Sequence, residues 1–236
     1  MKKYDENDLR AWFRAKAEDY FRAYPDLDPG WYRDLDFIPE EARFLRAVDE
    51  GIVYVDASGR FRLPDVNRAT GNPTEPGVFS KPETARLTRV VKLEWREYLT
   101  QVAALADLIL LYGWPKELVA FDPEARGAWT FDLAAFKDRS ATPPWVIAAE
   151  TKSPTSAREL DRLTVSLRSW ADSETSADPD DASKAAKAFR GLLRTRPQWL
   201  WLVAPGSRRQ TYRLSYYEGE RLRMEEVNDL PRFGEQ

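Results

Sequence analysis

Cysteine and histidine are both absent from the 236-residue chain. Without thiols there are no disulfides, no thiolate metal sites and no cysteine nucleophile. Without imidazole there is no Ser-His-Asp triad and no histidine-bound zinc. Any metal must therefore be a hard cation held by oxygens, such as Mg²⁺, Mn²⁺ or Ca²⁺. Any general acid or base must be a carboxylate, a lysine, a tyrosine or a bound water. Long apolar runs are missing too: no stretch of about 18 apolar residues occurs, and the run at 105–111 is broken by Asp107. The opening MKKYDENDLR carries two lysines with no apolar run behind them, so no signal peptide is expected and a cytoplasmic location is. No internal repeat is evident.

The chain also lacks a global excess of base. Lys and Arg number 36 against 39 Asp and Glu, a net charge of −3. The C-terminal part differs: from Lys184 to Arg232 eleven bases stand against five acids. That local excess suits either a phosphate-facing surface or a solvated, charged face. With 43% hydrophobic residues the composition is globular, and the length suits one sizeable domain or a domain with a smaller attachment.

Helical periodicity marks residues 4–24, closed by Pro25, and a second helix follows in IPEEARFLRAVDEG. IVYVDASGRFRLP then reads as a hairpin turning at Asp56-Ala57-Ser58-Gly59. Helix plus hairpin gives residues 1–66 the pattern of a small, winged-helix-like module. Residues 67–82, rich in Pro, Gly, Asn and Thr, read as a linker or surface loop. Residues 83–236 form the main domain. Within it 83–112 scans as one long helix, with Leu87, Val91, Trp95, Tyr98, Val102, Leu105 and Ile109 on a stripe. Strand-like runs follow at 117–122, 128–137 and 144–152, then helices at 156–171 and 182–195 around an acidic loop, then two or three strands to the end. This order predicts an α/β fold with a mixed central sheet flanked by helices.

The chemistry concentrates in PPWVIAAETKSP, residues 143–154. Side chains two apart on a strand share a face, so Glu150 and Lys152 project together. Asp132, inside the apolar run AWTFDLAAF, needs a partner, because a bare buried charge costs several kcal/mol. If the two strands pair, Asp132 and Glu150 converge at one edge of the sheet. Two adjacent carboxylates call for a cation between them. A divalent metal suits, completed by the backbone carbonyl of Thr151, with Lys152 beside the attacking water.

An Asp on one strand and Glu-x-Lys ending the next, here Asp132 in TFDLAAF and Glu150-Thr151-Lys152 in VIAAETK, resembles the PD-(D/E)xK nuclease superfamily. Phe131 stands where the family usually has proline. The resemblance implies a restriction endonuclease-like fold over roughly residues 83–217 and a Mg²⁺- or Mn²⁺-dependent phosphodiester hydrolase. It favours a DNA endonuclease over an RNA one, in a setting such as bacterial restriction or defence. A further acid is implied on the preceding helix, Glu94 or Glu97. The GWP at 113–115 looks like the nuclease region of type I restriction subunits. The helix after the lysine strand is implied to add polar residues, Arg158 or Arg162. Nucleic acid is then the expected partner, with a homodimer or a partner subunit also open and no membrane association. The alternative is a non-catalytic nucleic-acid-binding or interaction protein on the same fold.

Other residues keep two readings. Trp199 and Trp201 fit a buried strand better than base stacking. Tyr212, Tyr216 and Tyr217 with Arg208, Arg209 and Arg213 fit either nucleic-acid contact or an ordinary hairpin surface. Asp107 reads as a capping or core hydrogen-bond residue.

Overall fold

Asp5 starts the first helix by chemistry local to it. Its carboxylate accepts the backbone N–H groups of Asn7 and Asp8 at 2.9 Å, and the Asp8 carboxylate accepts the Asp5 N–H in return. The helix α1, Glu6–Ala23, buries Leu9, Phe13, Ala17, Tyr20 and Phe21 along one stripe. The computed structural model describes residues 3–66, 76–123, 131–171, 183–205, 208–218 and 221–235. None of its helices is long and apolar enough to cross a membrane, among the described residues. The chain divides into two compact units, Met1–Pro64 with Glu75–Ala106, and Asp65–Thr74 with Asp107–Gln236.

In the first unit a 3-10 segment at Pro39–Arg43 runs into α2, Phe44–Asp49. Gly51 closes it with a φ of 61°, a left-handed position that glycine takes without strain. The hairpin follows as expected, with β1 (Tyr54–Val55) antiparallel to β2 (Phe61–Arg62). Its turn is held by Asp56, whose carboxylate accepts the Ser58 N–H and hydroxyl and the Arg62 guanidinium. Phe13, Phe37, Phe44, Phe61 and Phe79 share ring contacts through this core.

The single helix expected over 83–112 is two. α3 spans Pro82–Thr88 and ends at Arg89, which is left-handed with φ 54°. α4 begins only at Glu97 and runs to Leu110. Between them the chain is extended: Val91 bridges Tyr32 and Leu93 bridges Phe79. Leu87 and Trp95, placed on a buried stripe by periodicity, are exposed. The same bridges explain why residues 75–106 group with the N-terminal elements, whereas composition placed a boundary at 67–82. Arg96 adds a bidentate pair to Glu41, 2.6 Å to each carboxylate oxygen, and Glu41 is fully buried. The winged-helix-like expectation is met only in its helix and hairpin.

The second unit is built on a six-stranded mixed sheet in the order β3 (Val119–Phe121), β4 (Leu133–Ala135), β5 (Ile147–Thr151), β6 (Trp199–Ala204), β7 (Arg208–Tyr217) and β8 (Arg221–Val227). Every neighbour is antiparallel except β5 and β6, which run parallel. A parallel pair needs a crossover, and α5 (Ala157–Ala171) and α6 (Lys184–Thr195) supply it. Leu160, Leu163 and Leu167 of α5 and Phe189 and Leu192 of α6 share one core with Ala134, Ala148, Leu200, Leu202 and Leu214 of the sheet. The architecture is thus α/β with helices against a mixed sheet. The acidic loop expected between the helices falls mostly outside the described residues, as does the start of the 128–137 run.

Candidate active site

The end of β5 is buried to its last residue. Ile147, Ala148, Ala149, Glu150 and Thr151 all lack solvent contact. Pairing with β4 sets Leu133 opposite Ala149 and Ala134 opposite Ala148, so the strands bring Asp132 and Glu150 to the same edge, as the sequence implies. Asp132 itself lies in a bend just before β4. Its Oδ2 accepts the Thr151 N–H at 2.5 Å and the Thr151 hydroxyl at 2.9 Å, which pins the carboxylate to the rim of β5.

Alternation along β5 puts Glu150 and Lys152 on the face that carries Ala148, the face packed by α5 and α6. Both are almost wholly buried, at 1% and 2% exposure. Lys152 Nζ donates to Glu150 Oε1 at 2.7 Å and to the Thr151 carbonyl at 2.5 Å, and lies 3.9 Å from Asp132 Oδ2. One ammonium therefore bonds two of the three groups that the sequence assigns to a cation and lies near the third. Glu150 Oε1 also takes Lys184 Nζ at 3.1 Å. Glu150 Oε2, by contrast, is buried with no hydrogen-bond partner among the described residues. A buried carboxylate oxygen left so costs about 1–3 kcal/mol or more.

The donor set is two carboxylates and a carbonyl, all hard oxygens. It fits Mg²⁺ or Mn²⁺, with the orphaned Oε2 as the obvious first ligand. No three acidic side chains gather into a metal-sized cluster among the described residues. Glu94 and Glu97 belong to the first unit. Glu94 is exposed in the extended stretch before α4 rather than on a helix, and Glu97 is the first residue of α4.

The arginines separate. Arg158 and Arg162 are both exposed on α5, and Arg162 opens onto the cavity that Lys152 also lines. Arg209 is engaged within the protein: its guanidinium donates to the buried Asp107 at 2.6 Å and lies 5.5 Å over the Trp201 ring. Asp107 is thus a core hydrogen-bond residue. Arg208 starts β7, and its side chain lies outside the described residues. Trp201 is buried, and Trp199 is partly so. Tyr212 is fully buried, and burial pushes its hydroxyl above the usual tyrosine range, so it is a core residue rather than a stacking platform. Tyr217 and Arg213 remain on the exposed face.

Sequence reasoning missed Lys184. The available signal was a lysine in the first turn of α6, where a helix disfavours positive charge. Compared with models of known families, with curated proteins and with solved structures, the chain matches none.

Proposed function

We propose that Asp132, Glu150 and Lys152 form the catalytic centre of a metal-dependent phosphodiester hydrolase, acting on DNA as an endonuclease. The observation that carries this reading is the pairing of Lys152 Nζ with Glu150 Oε1 and the Thr151 carbonyl, close to Asp132, beside a buried carboxylate oxygen without a hydrogen-bond partner among the described residues. Asp132, Glu150 and the Thr151 carbonyl would hold Mg²⁺ or Mn²⁺. When bound, the cation acidifies water and neutralises charge building on the phosphate. Thr151 fixes the Asp132 carboxylate, the apolar wall behind β5 keeps water from Glu150, and Lys152 holds a positive charge toward the reacting phosphate. The choice of DNA and a setting in restriction or defence rest on the resemblance to PD-(D/E)xK nucleases alone.

Purified protein incubated with DNA and RNA in Mg²⁺ or Mn²⁺ tests this. Cleavage of DNA is expected, and Asp132→Asn, Glu150→Gln and Lys152→Ala should each lower it by about a hundredfold or more. If neither nucleic acid is cut with either cation, the reading fails. The second reading, a non-catalytic nucleic-acid-binding protein, draws on the two ammonium groups that already neutralise Glu150 Oε1. Calorimetry separates the two, since a self-neutralised cluster takes up no Mn²⁺.

A further inference from the structure

A cavity of about 310 Å³ opens beside the cluster, lined by Lys152, Glu159, Arg162, Leu163, Ser166, Ser183, Lys184 and Ala185. Its size is at the lower end of small-ligand sites, about 300–1,000 Å³. Three bases from three separate segments converge on it, against one acid, Glu159. Lys152, on its floor, is 2% exposed, and a buried ammonium on a cavity wall must answer an anion. Glu150 answers it from behind.

Lys184 is placed against its own helix. It is the first residue of α6, a twelve-residue helix with no acid in its first turn, and its charge opposes the helix dipole there. Ser183 already caps the helix by accepting the Ala186 N–H at 3.1 Å. Lys184 reaches Glu150 at 3.1 Å and still keeps 45% of its side chain exposed, so its ammonium bridges the buried cluster and the open cavity. The N-terminus of α6 and the cations beside it therefore favour a negatively charged occupant. Leu163 and Ala185 give the same space an apolar wall.

We propose that this cavity is a nucleotide-phosphate subsite. It takes a phosphate neighbouring the one at the Asp132–Glu150–Lys152 centre, with Lys184 and Arg162 as its ligands and Leu163 and Ala185 against the sugar. The assignment rests on the nuclease reading of that centre, yet binding here needs no divalent cation.

The full chain is titrated in EDTA with the dinucleotide pTpT, with thymidine 5′-monophosphate and with thymidine. Both phosphorylated probes should bind saturably, pTpT more tightly, and thymidine should not. Lys184→Gln and Arg162→Gln should each weaken pTpT binding about tenfold, the loss of one charge-assisted contact. Lys184→Arg should restore it to within about threefold, and Glu159→Gln should tighten it. Binding of thymidine as well as pTpT, or Gln variants that bind like the parent, overturns the subsite. Monophosphate binding equal to pTpT overturns the strand as its source. Variant-sensitive binding in a protein that cuts nothing supports the subsite while rejecting the hydrolase; cleavage with variant-insensitive binding does the reverse.

Discussion

Thr151 determines where Asp132 sits. Its N–H and its hydroxyl both donate to one carboxylate oxygen, so the residue between the glutamate and the lysine positions the aspartate by two routes. Thr151→Val keeps shape and the N–H but deletes the hydroxyl donor. The expected cost is about 1 kcal/mol, read as a lower urea midpoint with unchanged slope, because the oxygen keeps its other partner. Much of this residue scale is legible in the sequence. Glu150 and Lys152 on one face follow from strand alternation, and the placement of a partly buried Asp132 near them follows from strand order. Lys184 does not, because its pairing with Glu150 spans 34 positions and depends on how α6 docks.

At the scale of elements, the strands of the second unit are legible because short apolar runs such as 145–149 and Trp199–Ala204, and the alternation of apolar and polar residues in β7 and β8, leave few alternatives. The segment 83–112 is not. Leu87, Val91 and Trp95 fit a helical stripe, but Val91 and Leu93 also alternate with exposed Lys92 and Glu94, and bridges to Tyr32 and Phe79 decide in favour of the extended form. The β1–β2 hairpin shows electrostatics at this scale. Burial raises the Asp56 pKa, but the Ser58 hydroxyl, the Arg60 N–H and the Arg62 guanidinium outweigh it and hold the carboxylate below its ordinary 3.8. A depressed carboxyl pKa stabilises the fold above the unfolded value, and that stability is lost as pH falls through the folded one. Asp56→Asn should therefore lower the thermal midpoint at neutral pH and flatten its decline below about pH 4, as followed by circular dichroism.

For the whole molecule, charge is balanced to a net −3, so long-range attraction to a polyanion is weak. Part of the basic excess after Lys184 is engaged internally: Arg209 with Asp107, and Arg196 over the Tyr216 ring. Of the earlier bases, Arg168 pairs with Glu226. Binding of a single-stranded oligonucleotide should therefore depend on the few cations at the cavity. With three contacts at about 0.7 each, log K against log salt should fall with a slope near −2. Fluorescence anisotropy between about 50 and 200 mM salt reads this slope, and a value beyond about −4 would move binding to the wider basic region.

The lone parallel pair, β5 with β6, has a consequence for the order in which the site comes together. Lys152 reaches Glu150 within a few residues of chain, but Lys184 meets it only after the crossover through α5 and α6 has closed. Such long-range closure is a late and slow event in folding. Until it happens, Glu150 has one counter-charge and the cavity lacks its far wall. The chain thus completes its candidate reaction centre last, when the two halves of the sheet are already joined.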